Sequence, residues 1–433
     1  MPPIEDHPLR YELANELHAR PFPALRAPCR AVYLAIKKVR DAASRDRAQD
    51  VAHLKALLDR YGTQHPQPGA THFSATIGPH VLKWEQHTEF VTYTVFLNGL
   101  GERPFDPADF DVFPENWLAS APGVRVTSAM IRVCERPQDP AETNALANDW
   151  LVADSMAVSR VLDDALVVAG DFRIDQGGHL RFAVFPTAGT GERRVGRVVQ
   201  RLCEIETYKA LSMLGFTRVC AIAARMTEID EELTRLMTDM THGEAPEEET
   251  LQALLRVSSE LETLAAQTAF RLSATGAYEA LVGQRIAVLR EERFEGRQTF
   301  REFMARRFEP AMRTVKSTEK RLEAMSARAM RAGDLLRTRV EVKRSAQNQE
   351  LLESMDRRAD LQLRLQHTVE GLSVVAISYY AVSLVGYLLY PVAGAVGISK
   401  GLLTALAVLP VVLAVWLGIR RIRKSVAKDG PGH

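Results

Sequence analysis

The chain of 433 residues is poor in the features that mark a secreted, zinc-binding or nucleic-acid-binding protein. Its four cysteines, Cys29, Cys134, Cys203 and Cys220, lie far apart with no CxxC pair, which excludes a zinc knuckle and suits reduced thiols better than a disulfide framework. Basic and acidic residues nearly cancel, 55 against 54, so the basic excess of a dedicated nucleic-acid binder is missing. The first twenty residues contain Glu5, Asp6, Arg10, Glu12, Glu16 and Arg20 and no apolar run, which predicts that no secretory signal opens the chain. Charge itself is missing from two stretches, 371–399 and 401–419.

Those two stretches carry the strongest signal. Segments 372–390 and 401–419 are nineteen residues each. At about 1.5 Å per residue, either would cover roughly 28 Å as a helix, close to the thickness of a hydrocarbon core. Between them lies 391–400 (PVAGAVGISK), read as a Gly-rich turn, and Pro410 interrupts the second span. Arg420, Arg421, Arg423, Lys424 and Lys428 crowd the exit of that span, whereas the turn holds only Lys400. The positive-inside bias then places the tail 420–433 and the long N-terminal body in the cytoplasm.

Two compositional regimes precede the spans. Residues 1–225 mix strands and helices. Runs rich in β-branched and aromatic residues at 31–36, 90–96, 124–133, 165–174 and 180–185 predict strands, and 175–178 (DQGG) predicts a hairpin turn. Helical stripes occupy 46–61 and 195–214, so the body is expected to be α+β. Residues 226–370 are almost entirely helix-forming, with no proline between 247 and 309. Acid-first i, i+4 pairs recur at Glu302–Arg306, Glu309–Arg313, Glu353–Arg357 and Asp360–Arg364. Val315, Leu322, Met325, Ala329, Ala332 and Leu336 follow 3/4 spacing, which predicts a stalk of coiled-coil-like helices leading into the hairpin at 371–419.

Chemical motifs are few. The run 191–198 (GERRVGRV) imitates phosphate-loop glycine spacing, but it lacks the Lys and Ser/Thr that reach phosphate and metal, and a loop entering a helix explains it. His65, His72, His80 and His87 cluster without HxH or HxxxH spacing and read as turn histidines. No metal site, cofactor or catalytic group is assigned. Near the start, Asp6 is placed to cap a helix that Pro21 ends, and His7, Asn15, Glu16, His18 and Arg20 form a polar motif along it. In the first span, Ser373, Tyr380, Ser383 and Tyr387 fall at 7/3/4 spacing on one helix face. Polar side chains turn away from lipid, so this stripe lines either a water-filled axis or a helix–helix interface.

Three segments, 7–23 (HPLRYELANELHARPFP), 204–215 (EIETYKALSMLG) and 370–380 (EGLSVVAISYY), give the chain a resemblance to an uncharacterised bacterial family of membrane-anchored proteins, domain of unknown function 3422. The resemblance covers essentially the whole chain and implies a shared architecture at the inner membrane, with no known activity. A looser likeness, in layout alone, is to the CorA-type cation channels. The Gly-Met-Asn filter of that family is replaced here by 386–391 (GYLLYP). The expectation is therefore a multi-pass inner-membrane protein of unknown ligand. It would be a homo-oligomeric scaffold or sensor rather than an enzyme, with an atypical CorA-like ion pathway as the alternative. Its partners are the lipid bilayer and further copies of itself, not nucleic acid.

Overall fold

A computed structural model describes residues 4–16, 22–242, 246–396 and 399–426. The chain forms two compact units, Met1–Gly333 and Asp334–His433.

The first unit is built on a nine-stranded mixed sheet. Its strands are β1 (Cys29–Lys37), β2 (His72–Ile77), β3 (His80–Gln86), β4 (Phe90–Asn98), β5 (Val124–Val133), β6 (Ala157–Val161), β7 (Leu166–Gly170), β8 (Leu180–Pro186) and β9 (Glu292–Arg293). Their order is β2-β3-β4-β1-β5-β8-β7-β6-β9. The pairing of β5 with β8 is parallel; the other pairings are antiparallel. At the centre, β1 is apolar on both sides, and both sides are covered. Ala31, Tyr33 and Ala35 join one core, with Val198, Val199 and Leu202 of α5 (Glu192–His242). Val32, Leu34 and Ile36 join the other, with Leu54, Leu57 and Leu58 of α2 (Arg47–Arg60) and with Trp117 of α3 (Glu115–Ala119). A sheet buried on both faces needs such unbroken apolar strands.

Local chemistry sets the helix ends. Asp46 caps α2 by accepting from Ala48 N, and Asp139 caps α4 (Pro140–Trp150) with proline in its first turn. Thr299 and Glu302 form a capping box on α7 (Phe300–Arg307). Long helices α5 and α6 (Glu247–Ala287) lie against each other where Gly215 admits Thr275: a Cβ on Gly215 would collide with that side chain. The first half of α8 (Glu309–Val396) buries the predicted stripe, Val315, Leu322, Met325, Ala329, Ala332 and Leu336. Alongside it Lys316 pairs with Glu279 of α6, and Arg321 and Arg328 both reach Asp230 of α5.

The strands expected at 31–36, 90–96, 124–133 and 180–185 are β1, β4, β5 and β8, and the turn at 175–178 joins β7 to β8 with Gly178 at φ +83. The run 165–174 is a strand only to Gly170, because the buried Asp171 carboxylate draws the chain out of the ladder. It accepts from Val152 N and Arg173 N and pairs with Arg181. Other corrections are local. Asp6 pairs with Arg10, and His7 Nδ1 accepts from Leu9 N at the start of α1 (Arg10–Glu16), so the cap is His7. Glu302 pairs with Arg293 rather than Arg306, because its place in the capping box turns it toward β9. The compositional change at 225/226 falls inside α5, and the first unit continues to Gly333.

The second unit holds the rest of α8, from Asp334, and α9 (Lys400–Val426). The expected turn at 391–400 is shorter than its composition implied, since α8 continues through Pro391 to Val396. Both helices are long and apolar enough to cross a membrane, each with a window of mean hydropathy 1.9, of which only 6% is buried. Where they meet, Ser378 and Ala407 are buried, and a Cβ on Gly386 would stand 3.9 Å from Thr404 Oγ1.

Candidate functional site

Alternation along β3 and β4 gives the α5-facing side of the sheet a polar row. On β3, Leu82 and Trp84 point into the α2 core while Val81, Lys83 and Glu85 point the other way. On β4 the same parity places Thr92, Thr94 and Phe96 toward α5. α5 and α6 roof this row incompletely, leaving two adjoining cavities of about 420 and 190 Å³ that share Phe22, Lys83 and Phe96.

The larger cavity lies over His72, Ser74, Val81, Cys29 and Asn98, and the segment 22–26 with Glu192 forms its other wall. That segment is held by Leu25 N donating to Glu192 O, and by the Pro23 carbonyl seated on Gly196, where any Cβ would clash. The glycine run at 191–198 is thus a helix start and a packing notch. Arg194 N and Val195 N donate to Gly191 O.

Lys83 is 8% exposed, donates to Gln200 Oε1 at 2.6 Å and lies 3.2 Å from Glu85. Thr207 Oγ1 donates to Cys203 O at 2.9 Å, so the 2.5 Å contact with Tyr33 has the phenol as donor. Burial raises the Tyr33 hydroxyl and the Cys203 thiol, and pushes the Cys29 thiol up to about 12. A thiol that stays protonated at neutral pH is a poor nucleophile. Arg285 pairs with Glu204 at the far end. His72 Nδ1 is buried and has no hydrogen-bond partner among the described residues. What the groove offers is apolar surface mixed with hydroxyl, ammonium, carboxylate and imidazole groups, a combination suited to holding a small molecule.

The histidines are dispersed. His65 pairs with Asp59 at 2.6 Å, His87 stacks on Phe90 at 4.2 Å between ring centroids, and His72 and His80 lie on opposite faces of the β2–β3 hairpin. Of the N-terminal motif, His7 serves as the cap; the side chains of Asn15 and Glu16, with His18 and Arg20, lie outside the described residues. In α8, Ser373 Oγ donates to Val369 O at 2.8 Å and Ser383 Oγ to Tyr379 O at 3.0 Å, so both hydroxyls are satisfied by their own helix. Tyr380 and Tyr387 are exposed, and the face that meets α9 is instead the one carrying Ser378 and Gly386.

Sequence reasoning missed the groove because its lining comes from five distant segments. One signal was available: threonines at 92 and 94 in an otherwise apolar strand, in phase with Lys83 and Glu85 next door. No curated protein and no solved structure matches the chain. Residues 5–426 match the model of the family described as "Protein of unknown function (DUF3422)", and the chain belongs to that family.

Proposed function

We propose that this protein is a membrane-anchored, non-enzymatic sensor or scaffold of the bacterial inner membrane, assembled from several copies through α8. In this reading α8 and α9 form a transmembrane hairpin, with the N-terminal unit and the basic tail in the cytoplasm. The groove on the α5-facing side of the sheet is the ligand pocket of the sensor.

One observation carries the reading. Every residue from 341 to 369 is exposed except Ser354, and Leu351, Met355, Leu365, Val369 and Leu372 fall on one face at 3/4 spacing, with Arg358 and Gln362 at the two positions between Met355 and Leu365. A helix with apolar positions on one face and no partner for them among the described residues is suited to a second copy laid along it, in the manner of a coiled coil. The exposed Tyr380 and Tyr387 continue the unpartnered surface into the apolar span, where hydroxyls across helices assist packing.

Native mass spectrometry of the detergent-solubilised full chain tests the assembly. Oligomers that dissociate on Leu365→Lys or Val369→Lys are expected, and a strictly monomeric wild type overturns it. Recovery of the full chain in the supernatant after ultracentrifugation of lysed cells without detergent overturns the membrane anchor. Ion flux into liposomes that Tyr380→Leu alters would replace the scaffold with an ion pathway.

A further inference from the structure

The α2-facing side of the sheet carries a cluster used by neither the groove nor the stalk. Arg30 on β1 and Arg132 on β5 are direct cross-strand partners, and Leu97 on β4 flanks Arg30 with His80 at the adjoining start of β3. Like charges directly opposite each other in an antiparallel pair repel. Here both are also largely withdrawn from water: Arg132 is 9% exposed and the Arg30 side chain 15%.

Part of their hydrogen-bonding capacity is unused. Among the described residues, Arg132 Nε and Nη1, Arg30 Nε and His80 Nδ1 are all buried without a hydrogen-bond partner. The neighbouring carboxylate is Asp109, 3.4 Å from Arg30 Nε, and the next acid, Asp106, is taken by Arg103 and by the amide of Ala108. One carboxylate against two guanidiniums leaves one positive charge uncompensated. A buried unpaired cation is costly, and natural proteins keep one where something comes to meet it.

The surroundings hold the fork in place. The Arg132 guanidinium lies 5.2 Å from the Trp150 ring centroid, which fixes its plane while its N–H edge stays unpaired. The loop after β4 crosses Arg30 at Gly101, where a Cβ would stand 2.6 Å from Arg30 Nη1. Burial, with Arg30 adding its charge, lowers the basicity of both Arg132 and His80, against Cys134 and Asp109 beside Arg132 and Asp109 beside His80.

We propose that Arg30 and Arg132 form an oxyanion-binding site that accepts a phosphate or carboxylate group between their guanidiniums, with His80 at its rim. Planar forks of N–H donors match both kinds of anion, and a monoanion balances the local charge. The site stands apart from the groove and from the membrane reading, so either can fail without the other.

Isothermal titration calorimetry on the full chain in detergent, at constant ionic strength, tests it with inorganic phosphate, acetate and citrate as probes. Saturable binding by the wild type that weakens about tenfold or more in Arg30→Met and Arg132→Met is expected. A stronger phosphate response than acetate and citrate responses identifies a phosphate-bearing ligand, and the reverse a carboxylate. Phosphate should also raise the thermal midpoint of the wild type and leave that of Arg132→Met unmoved. In chloride alone the variant should unfold no earlier than the wild type, since it sheds an unpaired charge. Should Arg132→Met fail to fold, the tryptophan emission of the wild type decides: a change on adding phosphate that Trp150→Phe abolishes supports the site. Absence of saturable binding of any of the three anions, or binding that both arginine variants retain, overturns it.

Discussion

In the first unit Trp84, Trp117, Tyr93, Phe182, Phe294 and Phe300 are all buried to 1% exposure or less, whereas in the second Leu351, Leu365, Tyr387 and Leu409 are each at least 60% exposed. Exposed apolar side chains of this size occur singly on any protein surface, but here they recur along the second half of α8 and along α9. The sheet unit buries its own large apolar side chains. The helical unit leaves most of its apolar surface uncovered by the described residues. Substitutions should therefore act on the fold in the first unit and on association in the second.

The largest effect expected on the fold comes from Glu89, which is 1% exposed. It pairs with Arg271 of α6, accepts from Tyr278 at 3.0 Å, and lies 3.4 Å from the buried Lys37 Nζ. Burial alone would raise this carboxyl, yet Arg271 and Tyr278 hold it below the ordinary carboxylate range. Glu89→Ala strands two buried cations and should destabilise the unit by about 3–5 kcal/mol, read from denaturant unfolding followed by tryptophan emission.

Acid should act next. His179 stacks on Phe110 and bonds to Ser128, and burial, with Arg125 adding its charge, pushes it down to about 4. His53 is neutral with a fixed tautomer: Nε2 donates to the Trp117 carbonyl, so Nδ1 accepts from Tyr93. Burial lowers it too. A histidine whose folded pKa is depressed contributes stability above its unfolded value near 6.5 and loses it as pH falls. For His179 the loss between pH 6.5 and 4 should be on the order of 2–3 kcal/mol, read as a falling thermal midpoint that His179→Gln flattens.

Gly215→Ala should cost about 1–3 kcal/mol by overpacking against Thr275, and Thr275→Ser should recover part of it. At the small end, Arg225→Ala removes an exposed pair with Glu260 and Glu228 and should leave the denaturation midpoint close to that of the wild type. Leu365→Lys in the second unit should leave the unfolding of the first within about 0.5 kcal/mol of wild type while it lowers the oligomer order. Destabilisation of the sheet unit by that substitution would break the division between the two.

The strands that could be read from the sequence, β1, β4, β5 and β8, are dense enough in β-branched and aromatic residues that a few threonines or arginines do not hide them. β2 and β3 were harder: His72, Ser74, His80 and Lys83 dilute their pattern, and only the pairing Phe73 with Trp84 and Ala75 with Leu82 reveals the buried side. The helical stripe from Val315 to Leu336 was legible because 3/4 spacing survives whatever it packs against. Which face of α8 meets α9 was not. Ser378 lies on the contacting face and Tyr380 on the uncovered one, and composition alone does not rank two polar-bearing faces. The Arg30–Arg132 pair was invisible for another reason: opposition across two strands a hundred residues apart depends on register, which no single segment encodes.

Strand β9 has a bearing on the order in which the protein is made. It is only two residues long, and it arrives at the edge of β6 after the whole excursion through α5 and α6. A ribosome must therefore deliver the chain as far as Arg293 before that edge is covered, and the apolar stretches of α8 and α9 are still to be translated. N-terminal units generally fold first during synthesis. The sheet can gain its last strand before either apolar stretch is made.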